Sequence, residues 1–397
     1  MTGRPSIEAA VPGRWRYAPG LFSGLLVAVA VAVVGVGIAD AWIRDRDWDM
    51  RKRETEYGLF RDGVYPDPAV EAPPVGRTRV HSVYPPWALP LFSLFFEPGG
   101  KLQGRVCIEV LSLAALSVMG WYGWQRLRPF GLAPGIVGAV AGAAIAGNAS
   151  AFSIGQFSIL CMGAVAAEML FLERERPVAA GVCWALAMLK PQIGIAFAPL
   201  LLVRGRRIGF MAGVLVLAAL SLLACWWTDV SPSSIVARWL VRNRLEFNGH
   251  APLQLAIQSW TGMSQRVLVI VGMSLLAAAA GYMLLRAAPA ADSDPLRLAA
   301  PLAAIGMLAV YHRHYDNVML WPTLIAALEW ALRTGRRTDV IVAAVLGTTL
   351  LIHDHFLSAV PYGRLAAGAV WAAAACHLLG RAVLSAPPGR GKEATPA

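Results

Sequence analysis

The sequence predicts an all-α, polytopic membrane protein, on three observations. Of its 397 residues, 57% are apolar and only 15% are charged, against roughly 25% charged in a soluble domain. Mean hydropathy is +0.55. The apolar material comes in long blocks separated by short basic stretches, the pattern of helices that each need about 20 apolar residues to cross a bilayer. Disorder and collagen are excluded, and a soluble enzyme is disfavoured. The five cysteines (Cys107, Cys161, Cys183, Cys225 and Cys376) lie in or beside apolar blocks without paired spacing, so they read as small packing residues rather than disulfide or metal partners.

Taken in order, a cytoplasmic tail at 1–20 precedes the first block, Leu21–Ala39, which is too long for a cleaved signal core and reads as a retained anchor. A long first loop, 40–104, follows. Within it Trp87–Phe96, behind Pro85 and Pro86, is too short to span and reads as a re-entrant or interfacial helix. Further blocks lie near 105–125, 133–149, 157–172, 178–203 and 208–227. After a second long loop, 228–265, come 266–285, 297–311, 317–332, 340–354 and 363–383, then a disordered cytoplasmic tail at 386–397. That makes a single transmembrane domain over 21–385.

Block 178–203 lies between two basic loops, so it must cross an even number of times. Lys190-Pro191 sits at its midpoint, and proline disfavours a helical residue before it while removing a backbone donor. The block therefore reads as two short helices, 178–189 and 191–203, meeting near Lys190, since a lone lysine within a straight span is costly. Among the short loops, the strongly basic ones are Arg126–Arg128, Arg174–Arg176, Arg204–Arg207, Arg333–Arg337 and the C-terminal tail. By the positive-inside rule these face the cytoplasm, and the net charge of +11 then reports topology rather than nucleic-acid binding. Trp42, Trp121, Trp124, Trp226, Trp227 and Trp330 fall near span ends, as interfacial aromatics do.

This topology gathers the remaining polar residues on the non-cytoplasmic face. They are Asp40, Asp45, Asp47 and Asp49; Gly63 with Tyr65; Tyr84-Pro85-Pro86; Gly155-Gln156; Lys190; Arg238, Arg242, Arg244 and His250; Tyr311 to Asp316; and His353-Asp354-His355. Carboxylates, imidazoles and cations on one face suit a phosphorylated, lipid-linked substrate. Each has a plainer reading: the acidic cluster as a solvated juxtamembrane loop, Tyr84-Pro85-Pro86 as a helix start, Lys190 as a snorkelling anchor. His312, His314 and Asp316 are the strongest set, and fit proton transfer, phosphate contact, a metal or a structural turn. The metal reading ranks below the first two because it needs a third and fourth ligand, which His353 and His355 could supply only if folded close.

Asp49 with Gly63 and Tyr65, Tyr84-Pro85-Pro86, Gly155-Gln156, Leu189-Lys190-Pro191 and His314-Tyr315-Asp316 occur in an order that resembles glycosyltransferase family 87. The resemblance runs from about residue 20 to about residue 330. It implies a GT-C-type fold of about 11–12 membrane helices and transfer of a hexose, mannose first, from a polyprenyl-phosphate sugar. The acceptor would be a lipid or glycan on the non-cytoplasmic face of the cell membrane, with inversion. No cofactor is expected, and no residues are assigned to a metal. It also implies an acidic residue some fourteen positions before the Gly-x-Tyr: Asp49 fits, and Asp47 is the fallback. The segment Asp49–Glu54 is more charged than the family pattern.

A phosphate leaving group needs no strong general acid, so such a site must supply a base and cations. The expected base is Asp49, with His312 or His314 as competitor or relay. Lys190 and Arg313 are expected at the donor phosphate, with Arg238, Arg242 and Arg244 in reserve. Tyr84, Gln156 and Asp316 are expected at substrate. The competing classes are a polytopic secondary transporter of a sugar or anionic solute and a non-catalytic membrane scaffold.

Overall fold

The computed structural model describes residues 18–44, 48–66, 84–97, 99–237, 261–286, 294–310, 312–360 and 362–384. Within these residues the chain is helical, with no strand, which lets each apolar segment satisfy its own backbone in lipid. α1 (Ala18–Arg44) is followed by α2 (Trp48–Arg61) and α3 (Ala88–Phe96), both inside the expected first loop, and then by α4 (Gly100–Leu127). α5 (Leu132–Ala141), α6 (Gly147–Ile154), α7 (Ser158–Glu173) and α8 (Pro177–Ala187) come next. The short helices α9 (Pro191–Gly194) and α10 (Pro199–Leu202) precede α11 (Arg207–Thr228). The chain continues through α12 (Gln265–Arg286), α13 (Pro295–Ala309), a 3-10 turn (His314–Leu320), α14 (Trp321–Thr334), α15 (Arg337–Leu351), α16 (Asp354–Ala359) and α17 (Gly363–Leu384).

The protein is an all-α polytopic membrane protein. Among the described residues, α1, α4, α11 and α17 are long and apolar enough to cross a bilayer, and α6 with α7 make a fifth candidate bent by 116°. That is fewer full-length spans than the eleven apolar blocks suggested. Several blocks are interrupted, and α5, α8, the α9–α10 stretch and α13 are apolar but short. The 15 residues of α13 cover about 22 Å of a hydrocarbon core roughly 30 Å thick. Block 133–149 is not one helix: it breaks between Ala141 and Gly147, and α6 is bent by 116° against α7. Block 178–203 divides as its sequence predicts, into α8 and the α9–α10 stretch on either side of Lys190.

α7 lies at the centre, packed on α4 and α8, with α8 also against α11. α1 covers α5 and α6, and α13 joins α14 and α17. Helices α4 and α5 approach until their backbones touch, at Gly123 and Gly138, where a Cβ on either would meet the other's carbonyl oxygen. The core is aromatic around α3: Phe92 stacks on Phe157 at 5.8 Å, and Tyr84 meets both rings edge-on.

The two ends of α7 carry different chemistry. At its C-terminal end Arg126 reaches Glu329 at 2.7 Å, Asp294 at 2.9 Å and Glu173 at 3.4 Å, a clasp among helix ends that also holds Arg297 and Arg333. At its N-terminal end, about 24 Å away by helical rise, lie Ser158 and the polar cluster described below.

Replacing Gly138 by Val should drive α4 from α5 and cost about 1–3 kcal/mol, as overpacking does. Thermal unfolding in detergent should show a lower midpoint than wild type. Gly380→Ala, with nothing within 4 Å of the added carbon, should leave it unchanged.

Candidate functional site

The site is organised by the helix break at Lys190. Pro191 forces the preceding residue out of the helical region, and Lys190 is extended at φ −116°, ψ 93°. Its side chain therefore leaves the helix axis and enters the protein, where only 3% of the residue is exposed. Nζ donates to Asp316 Oδ1 at 2.6 Å, to Ser158 Oγ at 2.8 Å and to Gln156 Oε1 at 3.2 Å. An ammonium has three donors, and all three are engaged. The charge also sits 4.7 Å from the centre of the Tyr315 ring. The turn before Lys190 is tied to the aromatic core by Trp87, whose indole donates to the Met188 carbonyl at 2.8 Å.

Gly155 explains why Gln156 arrives at this point. It ends α6 in the left-handed conformation, φ 72°, ψ 49°, which glycine adopts without steric cost, and α7 restarts at Ser158. A Cβ at Gly155 would come within 2.8 Å of Met50 Cε, so the sharp turn also lets α2 approach. Asp49 is the neighbour of Met50 on α2, and Gln156 Nε2 donates to Asp49 Oδ2. Asp49 is half-buried, with no hydrogen bond to its Oδ1 among the described residues.

Asp316 closes the cluster from the far side. It is fully buried, accepts from Ser158 Oγ at 2.5 Å, and takes the Arg313 backbone N–H on Oδ2 at 3.2 Å. Burial alone would raise the Asp316 carboxyl; the Lys190 ammonium and His312 outweigh it and hold the group well below the usual carboxylate range. His312 Nδ1 stands 3.8 Å from Asp316 Oδ2, an electrostatic rather than hydrogen-bonding distance, and both its ring nitrogens are buried without a hydrogen-bond partner among the described residues. Gly147, opening α6, lies directly against the His314 carbonyl, where a Cβ would collide.

The structure thus brings together Asp49, Gln156, Lys190 and Asp316 in one hydrogen-bonded chain, with His312 beside it. Tyr84 is buried against Phe157, next to Gln156, with the Arg53 guanidinium 4.6 Å over its ring. Arg313 is exposed at the head of the segment. His314 stands somewhat apart: its ring packs on Tyr315 at 5.4 Å and on His353 at 5.9 Å. Burial lowers its pKa below the ordinary histidine value, against the nearby Asp354. Asp40 is drawn off to Ser153 at 2.5 Å, and Asp354 to Arg364 at 2.9 Å. Asp45, Asp47, Arg238, Arg242, Arg244, His250 and Tyr311 lie outside the described residues. No group of three potential metal ligands occurs among the described residues.

Sequence reasoning missed Ser158 and Arg53. A buried serine carries no signal of its own, although Ser158 lies two residues after Gln156. Arg53 follows Asp49 by one helical turn of α2, so the two share a face.

Comparison with known proteins gives one match. A family model, Glycosyltransferase family 87, matches residues 83–353, more than half of the chain. No curated protein and no solved structure matches.

Lys190→Met should leave Asp316 as a buried carboxylate without its counter-charge, costing about 3–5 kcal/mol. Lys190→Met with Asp316→Asn should recover much of that loss in thermal unfolding. The pH dependence has a definite sign: because Asp316 is depressed in the folded state, its contribution is complete above the unfolded carboxylate value of about 3.9 and declines as pH falls below it. The wild-type midpoint should therefore soften below about pH 4, and the double variant should show less of that acid sensitivity.

Proposed function

The chain belongs to glycosyltransferase family 87, and from that premise we propose that it transfers a hexose, mannose first, from a polyprenyl-phosphate sugar to a lipid-linked or glycan acceptor. It is a membrane glycosyltransferase; the donor, the inverting course and the non-cytoplasmic site are our reading. The observation that carries the reading is the hydrogen-bonded chain Asp49–Gln156–Lys190–Asp316, contributed by four separate segments at one end of the bundle. That end is opposite the Arg126 clasp and its basic loops, which are the cytoplasmic side by the positive-inside rule.

In the proposed reaction the acceptor oxygen attacks the anomeric carbon. A new C–O bond forms while the bond to the phosphate oxygen breaks, and the phosphate leaves with the electron pair. The acceptor's proton passes to Asp49, a positioned carboxylate whose strength lies in placement rather than basicity. His314, kept neutral by burial near pH 7, is the alternative acceptor of that proton. The departing anion is met by Arg313 and by the field of Lys190, whose own donors are held within the protein. Arg53, one turn along α2 from Asp49, is buried in an ion pair with Glu56 at 2.7 Å, so it stands beside the base as part of the protein's own charge network. Tyr84 and Gln156 line the approach to substrate, and Asp316 and His312 support it from behind.

Two outcomes are expected in membranes supplied with polyprenyl-phosphate mannose. Asp49→Asn, a nearly isosteric change, should lower transfer by about 10²-fold or more while the protein remains folded; normal turnover would remove Asp49 from the base role. Arg313→Met should raise the donor KM more than it lowers kcat, and an unchanged donor dependence would remove Arg313 from the phosphate. Polyprenyl-phosphate arabinose as a second donor distinguishes the sugar.

A further inference from the structure

We propose that Lys190 and Gln156 are positioning residues for Asp49: the buried ammonium fixes which way the Gln156 carboxamide faces, and the carboxamide fixes the Asp49 carboxylate. This rests on the proposed base role of Asp49 and assigns Lys190 a task other than direct contact with phosphate.

The argument is one of hydrogen-bond chemistry. A carboxamide has one accepting end and one donating end, and the two are readily interchanged by rotation. Here it lies between a group that can only donate, the Lys190 ammonium, and a group that only accepts when ionised, the Asp49 carboxylate. Only one orientation satisfies both: Oε1 towards Lys190, Nε2 towards Asp49. Lys190 is itself held by Asp316 and Ser158 at 2.6 and 2.8 Å, so the orientation is transmitted from the buried ion pair. Gln156 is 7% exposed and Lys190 3%, which keeps water from competing for either end.

The consequence for Asp49 is directional. Its Oδ2 is bound to Gln156, so the carboxylate is pinned through one oxygen and the other is left to take a proton from the acceptor. A carboxylate on a half-exposed helix would otherwise rotate about its side-chain torsions, and a base that misses its proton by 1 Å loses much of its rate. The Gly155 turn belongs to the same device, since it aims Gln156 at α2.

The test is Gln156→Glu, assayed for sugar transfer across pH in the full-length protein in membranes. The introduced carboxyl would still accept from Lys190 but could serve Asp49 only when protonated, because adjacent carboxylates share one proton. Transfer should be nearest wild type at the acid end of the range and fall by roughly tenfold per pH unit above the pair's upper titration, while wild-type activity holds. Gln156→Leu should lower kcat at every pH with little change in donor KM. Lys190→Met with Asp316→Asn should behave likewise, since it frees the carboxamide without leaving a buried charge.

Wild-type pH dependence and rate in Gln156→Glu, or an unchanged kcat in Gln156→Leu, would overturn the positioning role. So would a double variant whose donor KM rises at constant kcat, which would return Lys190 to the phosphate. Because these comparisons are made against an active wild type and an Asp49→Asn control, they separate failure of the relay from failure of the proposed reaction. If the wild type transfers nothing from polyprenyl-phosphate sugars, the reaction is wrong. If it transfers and Asp49→Asn does not, only the relay is in question.

Discussion

The structure depends on one buried ion pair. Lys190 and Asp316 are 2.6 Å apart, each almost wholly removed from solvent, and each would be prohibitively placed without the other. Pairing alone is poor compensation for desolvation, so the other hydrogen-bonding positions on both groups matter. The ammonium is completed by Ser158 and Gln156, the carboxylate by Ser158 and the Arg313 backbone. The pair therefore holds together the α6–α7 turn, the α8–α9 turn and the segment after α13, three places where helices stop short of a bilayer's thickness. The broken helices and the buried charges are one arrangement: the breaks bring backbone turns and polar side chains to a common depth, and the charges give those turns something to hold.

This arrangement also separates two kinds of electrostatics. The Arg126 clasp, at the opposite end of α7, joins the buried Glu329 to the more exposed Asp294 and Glu173, and the more exposed of these pairs are weakened by solvent. Lys190 is buried with all three of its donors engaged, which is what a site needs if its groups are to keep their geometry as charge develops. Stability is spread over both ends of the bundle, whereas the residues aimed at Asp49 occupy one.

Much of the fold could be read from the sequence because hydropathy and proline act locally. Pro191 forecasts the break at Lys190, and Pro85-Pro86 forecasts the start of α3. The break within 133–149 was hidden because its residues, Gly142 to Ala146, are as apolar as a span; only the packing of α6 against the 314–316 segment and α1 decides it. The site was legible in its members but not in its wiring. Asp49, Gln156, Lys190 and Asp316 were each picked out, yet nothing in their spacing indicates that Lys190 faces Asp316 rather than a phosphate. Ser158, which both groups share, has no signature outside the folded structure.

The same wiring separates a charge that recognises a ligand from one that shapes a site. A phosphate-binding ammonium must have donors to offer, and Lys190 has committed all of its own within the protein. A lysine held by a carboxylate, a hydroxyl and a carboxamide acts instead as a rigid pivot, and its usefulness is that the carboxamide next to it has two unlike ends. Substituting one polar end for the other at Gln156 changes neither volume nor burial. It adds a titratable group beside Lys190 and, with its protonation, decides whether the last link, to Asp49, is a hydrogen bond or a repulsion.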